Sequence, residues 1–134
     1  MRHPLLPVLV LFVPIALACG GKLDELKAQG DAAKAEGAAW AVGRDQAACV
    51  TEALARSAKE SDTAITYHAL NGVWLQTCLG AATPTPGLCD GVPSTDAITE
   101  TVTWRLAYCE ARGRGQDQSC QRLLSSIQDH CHPT

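Results

Sequence analysis

Past residue 18 the sequence contains no methionine and no phenylalanine; Met1 and Phe12 are the single copies of each. Aromatic residues are 4% of the chain, and beyond the leader they are Trp40, Tyr67, Trp74, Trp104 and Tyr108. So few large side chains make a thin core, and small domains of that kind rely on crosslinks. Basic charge is scarce too: 11 Lys and Arg stand against 14 Asp and Glu, a net charge of −3. That excludes nucleic-acid binding through a basic face. There is no C-x-x-C pair, and ten residues or more separate successive cysteines. Zinc pairs and thioredoxin-type redox motifs need far closer spacing. G-x-S-x-G, H-E-x-x-H and G-x-x-x-x-G-K-[ST] are all absent. His68 is the only internal histidine and lies in an apolar stretch, where a core or boundary role is expected. No catalytic constellation emerges, so an enzyme is not the expected class, and neither a cofactor nor a metal is expected.

What is present is length for one domain, 134 residues, and seven cysteines. The chain opens MRHPLLPVLVLFVPIALACGG. Arg2 begins it, and the uncharged apolar stretch from Leu5 to Ala18 is too short for a membrane span and carries Pro7 and Pro14. Residues 1–18 therefore read as a cleaved secretory signal. Ala16-Leu17-Ala18 fits ordinary small-x-small cleavage. The junction Ala16-Leu17-Ala18-Cys19-Gly20-Gly21 also resembles the bacterial lipoprotein signal class. That resemblance covers about the first twenty residues. It implies lipidation of Cys19, which becomes the N-terminus, and a membrane partner reached through the acyl chains. Gly20 stands where an Asp would favour inner-membrane retention, so the resemblance implies the outer membrane, facing the periplasm or the cell surface. Parity favours lipidation: without Cys19, six cysteines remain, enough for three bridges.

Residues 19–44 follow as lipidated cysteine and Ala/Gly/charged segment. Ala, Lys, Glu and Gln favour helix, while Gly30, Gly37 and Gly43 each cost about 1 kcal/mol against Ala. Leu23, Leu26, Ala33 and Trp40 make a faint stripe. A marginal helix or tether and a packed first helix both fit.

Residues 45–134 read as an all-α domain, a small disulfide-stapled helical bundle of about four helices. Asp45 to Glu60 places Cys49, Ala53 and Leu54 on one face. A second helix runs from about Thr63 to Leu79, with Gly80 as its C-terminal cap; it is apolar on most sides and so central. A Pro- and Gly-rich loop spans residues 81–93. Ser94 is positioned to cap a third helix. There, alternation at Val102, Trp104, Leu106 and Tyr108 competes with helical spacing, and helix is preferred because no partner strand is visible. The last helix, about Gln116 to His130, carries the stripe Cys120, Leu123, Leu124, Ile127 and Cys131.

Turn distances suggest the bridges. Cys109 and Cys120 flank the Gly113–Gly115 break at about 4.5 and 6 Å along their helices. Cys49 and Cys78 lie about 16 and 22 Å from the Ser61 turn. Cys89 then falls to Cys131. The rival set pairs Cys78 with Cys89 and Cys49 with Cys131, and spacing leaves all fifteen connectivities open. His130-Cys131-His132 is the one dense ligand cluster, read as a bridged cysteine between two solvated histidines. Beyond its leader the chain resembles no named family.

The expected function is that of a small exported, membrane-anchored lipoprotein with a non-enzymatic binding or envelope-structural role and an envelope protein as possible partner. Thr83, Pro84, Pro86 and Leu88 form the candidate interaction loop. A rigid loop loses less entropy on binding. The alternative is a hydrolase inhibitor presenting Leu88 from that loop; a spacer and, last, a small enzyme complete the set.

Overall fold

A computed structural model describes residues 20–134. Cys19 and the leader, and with them the lipidation and cleavage expected there, lie outside the described residues. Five helices follow in order: α1 Gly20–Ala41, α2 Gln46–Ser57, α3 Ile65–Ala81, α4 Ile98–Glu110 and α5 Gln118–Cys131. There is no strand among the described residues; Asp45 and Thr83 form one isolated parallel bridge. The all-α, disulfide-stapled bundle is therefore established: residues 45–134 hold the four helices expected of them, and α1 precedes them. Residues Gly20–Ala41 are one continuous helix, packed on α3 from Ala33 onward.

Contacts give the direction of each helix. Gln29 and Ala33 lie beside Tyr67 and Leu70, and Gly37 meets Trp74 and Cys78, so α1 runs parallel to α3. Asn71 Nδ2 donates to Ala53 O at 2.9 Å and Tyr67 Oη donates to Arg56 O at 3.0 Å, which sets α2 antiparallel to α3. Ser126 Oγ donates to Gly72 O at 3.1 Å, and Ser119 N donates to Asp62 Oδ1 at 3.0 Å, so α5 runs with α3. Helix α4 returns antiparallel to α5. The arrangement is up-down-up-down-up with α3 in the middle. Its residues Trp74, Leu75, Cys78 and Leu79 are fully buried, as its apolar composition demands.

The bridges join Cys49 to Cys78, Cys89 to Cys131 and Cys109 to Cys120. Cys49–Cys78 and Cys109–Cys120 are the pairs that turn distances suggest, because antiparallel neighbours place similar distances from a turn at similar height, and Cys89–Cys131 joins the two cysteines left over. Such bridges belong to an oxidising, exported environment. No described helix is long and apolar enough to cross a membrane.

Several helix ends depart from the sequence expectation. Gly80 is no cap: α3 continues through it to Ala81, and Ala82 N donates to Cys78 O. Helix α3 starts at Ile65, two residues after the expected Thr63, with no side-chain cap, and Asp62 accepts from the backbone of Gln118 and Ser119 at the start of α5. Ser94 does not cap α4, which starts at Ile98; its hydroxyl bonds Asp96. Asp45 does cap α2, accepting from Ala48 N at 2.9 Å, and Asp117 caps α5, accepting from Ser119 N and Cys120 N.

Candidate binding groove

The loop after α3 is held at both ends by α2 and α5. Three backbone N–H groups at the start of α2 have no partner within the helix. Gln46 N donates to Thr83 O at 3.0 Å, Ala47 N to Thr85 Oγ1 at 2.9 Å, and Ala48 N to Asp45. Thr83 N in turn donates to Arg44 O. The buried Gln46 side chain adds two more grips: its amide nitrogen donates to Leu79 O at 3.0 Å and its oxygen accepts from Thr85 N at 3.2 Å. With its nitrogen so assigned, the same amide donates to His130 Nε2 at 2.9 Å.

At the far end of the loop, Gln128 of α5 plays the matching part. It is 2% exposed. Its amide nitrogen donates to Pro93 O, Ser94 O and Thr101 Oγ1 at 2.8–3.1 Å, and its oxygen accepts from Arg105 Nη2 at 2.9 Å. Cys131 binds Cys89 covalently, and His132 Nε2 donates to Val92 O at 2.8 Å. Both terminal histidines are thus occupied in holding the loop. Among the described residues no three His, Cys, Asp or Glu side chains gather to hold a metal ion. His68 is buried between α3 and α5, and its Nε2 donates to Ser61 O at 2.9 Å.

A cavity of about 360 Å³ opens between this loop, α2 and α4. Val50, Thr51 and Leu54 form the α2 wall, Leu88 and Val92 the loop wall, and Trp104 and Tyr108 the α4 wall, with Ile127 of α5 beneath. The two half-buried aromatic rings lie 5.9 Å apart and tilted. Asp90 and Arg112 stand at its rim. The Arg112 guanidinium lies 3.6 Å over the Tyr108 ring, and its Nη1 donates to Tyr108 O at 3.0 Å. Burial pushes the Tyr108 phenol up, and the nearby Arg112 charge only partly offsets this, so Tyr108 stays neutral and apolar in character. The size lies within the range of about 300–1,000 Å³ usual for small-ligand pockets.

Of the loop residues singled out by sequence, only Leu88 lines this groove, and it is half-buried there rather than standing out from the loop. Pro84 and Pro86 are exposed, and Thr83 serves the α2 terminus. Helix α4 is fixed chiefly by Cys109, its one fully buried residue, and by Gln128. Trp104, Tyr108, Gln46 and Gln128 did not stand out as site residues in the sequence. The aromatic pair has helical i, i+4 spacing, which could have placed both on one face; a buried glutamine leaves no such sign. No family model, curated protein or solved structure matches the chain.

Proposed function

We propose that this chain is a small exported lipoprotein, anchored through acylated Cys19, that binds an envelope partner in the groove between α2 and α4 without chemistry of its own. One observation carries the reading. Helix α1 runs parallel to α3, so Gly20, next to Cys19, lies at the opposite end of the bundle from the loop that follows α3. An anchor there holds the loop and its clamps away from the membrane. The outer membrane remains the address that the Gly20 junction favours.

The groove suits binding because it is preformed. Gln46, Gln128 and the Cys89–Cys131 bridge hold its loop wall before any partner arrives, which reduces the ordering cost of association. Trp104 and Tyr108 supply apolar area with a rigid shape, and Asp90 and Arg112 offer opposite charges at the rim. The fitting partner segment is one that inserts an apolar side chain between these walls. The inward position of Leu88 favours this over the inhibitor reading, which needs Leu88 presented outward.

The test places a photo-crosslinking residue at Tyr108 in the full-length protein in its own envelope, with Thr99 as an exposed control on the same helix. A discrete partner captured from position 108 and lost in Leu88→Asp is expected. Equal, diffuse capture from both positions would reject the groove. Intact mass equal to the unmodified 19–134 chain would reject the anchor.

A further inference from the structure

The sequence stripe on α1 is a seam of alternating three- and four-residue steps: Leu23, Leu26, Gly30, Ala33, Gly37 and Trp40. Such spacing keeps one face of a helix toward a single partner. From Ala33 onward that partner is α3. Gln29 lies level with Tyr67, and α3 begins at Ile65, so α1 outruns α3 by roughly two turns, about 10 Å. The seam does not stop where α3 does. Leu23 is 68% exposed and Leu26 43%, and Ile65, at the same end, is 58% exposed.

Charge is arranged around this free part of the seam. At about 100° per residue, Lys22 and Lys27 fall about 70° to either side of the direction midway between Leu23 and Leu26. Asp24 and Glu25 fall about 130° away, on the back of the helix. Two leucines flanked by lysines, with the carboxylates turned off, is the pattern of a helix that rests in a membrane interface: the apolar chains enter, and the ammonium groups reach lipid phosphates. The Lys27–Asp31 ion pair, 3.5 Å and exposed, is weak enough to yield. The position matters as much as the composition, for Gly20 opens the helix one residue after Cys19.

We infer that the first two turns of α1 bed into the lipid surface through Leu23 and Leu26, and so fix the tilt of the whole bundle. This rests on the acylation of Cys19 proposed above. The acyl chains supply residence on the membrane, and the leucines supply orientation. Because α1 is continuous from Gly20 into its packing on α3, what the first turns touch is transmitted rigidly to the groove.

The experiment uses the full-length acylated protein on vesicles of phosphatidylethanolamine and phosphatidylglycerol, with a non-acylated Cys19→Ser chain in solution as reference. Intact mass first establishes acylation. Amide exchange over residues 20–28 should slow by at least about tenfold on vesicles. The protection should vanish in Leu23→Ser/Leu26→Ser, with exchange over residues 33–41 unchanged and the protein still vesicle-bound. Acylated, vesicle-bound protein whose 20–28 amides exchange as fast as the reference would overturn the inference and leave the lipoprotein reading intact. Protection that appears in solution and grows with protein concentration would assign the leucines to a second copy instead. An unmodified Cys19 would reject both.

Discussion

Gly37 of α1 lies directly against the backbone carbonyl of Trp74 in α3: a β-carbon at position 37 would stand 2.5 Å from that oxygen. The obstruction is backbone in the middle of the central helix, which cannot swing aside. The missing side chain is thus what lets α1 approach α3 closely enough for Trp40 and Trp74 to meet edge to face at 5.4 Å. Arg56 closes the same junction, 4.1 Å over the Trp74 ring and bonded to Glu36 and Glu52.

Gly37→Ala should destabilise the bundle by about 1–3 kcal/mol through overpacking and lower its melting temperature by several degrees. Gly30→Ala is the internal control. It lies on the same seam, but a β-carbon there meets nothing within 4 Å. Gly30→Ala should therefore be neutral or stabilise by up to about 1 kcal/mol, the ordinary helix-propensity gain. Equal effects in thermal melts of the two variants would contradict the close-approach argument.

That pair shows what the sequence did and did not disclose. Helix content, the central place of α3 and the buried stripe of α5 follow from apolar spacing, which is local information. The relation of Cys109 to Cys120 follows from helical rise on either side of a short break. Gly30 and Gly37 look alike in sequence, since both lower helix propensity, and only the crossing of α1 over α3 tells them apart. Helix ends were less legible for the same reason. Gly80 has the look of a stop and Ser94 of a cap, yet Asp62 does its capping for a helix more than fifty residues further on. Gln46 and Gln128 were invisible because a polar residue read alone belongs on the surface; each is buried only because the loop it holds needs its amide.

Replacing Gln128 tests that last point. Gln128→Leu keeps the volume roughly but strips partners from Pro93 O, Ser94 O, Thr101 Oγ1 and Arg105 Nη2. Arg105 is the sharpest loss, since burial already lowers the pKa of its guanidinium. A cost of about 1–3 kcal/mol is expected for buried polar groups left unpaired. Hydrogen exchange should rise first over residues 93–105 and only later over α3. Uniform loosening of the whole bundle would argue against a local latch.

The three bridges should not be equivalent. Cys109–Cys120 spans 11 residues and Cys49–Cys78 spans 29, so loop closure assigns them about 3 and about 4 kcal/mol. Their surroundings differ more than their loops. Helix α4 has Cys109 as its one fully buried residue, whereas Cys49 and Cys78 sit in the core beside Leu75 and Leu79. Cys109→Ser/Cys120→Ser should free α4 and open the groove while α1, α2 and α3 stay protected. Cys49→Ser/Cys78→Ser should lower global stability. Exchange maps that are the same for both double variants would show that α4 is not a separately releasable element.

The carboxyl at the start of α5 should contribute to the loss of stability in acid. Arg114 bonds Asp117 at 2.6 Å while reaching Leu54 O, Ser57 Oγ and Ser119 Oγ, and so ties the end of α2 to the start of α5. Burial works to raise the Asp117 pKa, but hydrogen bonds from Ser119, Arg114 and Cys120 N outweigh it and hold the carboxyl well below the usual range. A carboxyl whose pKa is lowered by folding contributes stability above its unfolded value, about 3.9, and that contribution is lost as pH falls through the folded value. Stability should thus be flat in this respect near neutrality and decline below about pH 4. Asp117→Asn keeps a capping side chain but removes the titration, so it should be less stable than the parent at pH 7 and should flatten the acid limb. Denaturant midpoints taken from pH 7 down to pH 2 would decide the matter. An Asp117→Asn curve that runs parallel to the parent across that whole range would show that the acid sensitivity lies elsewhere.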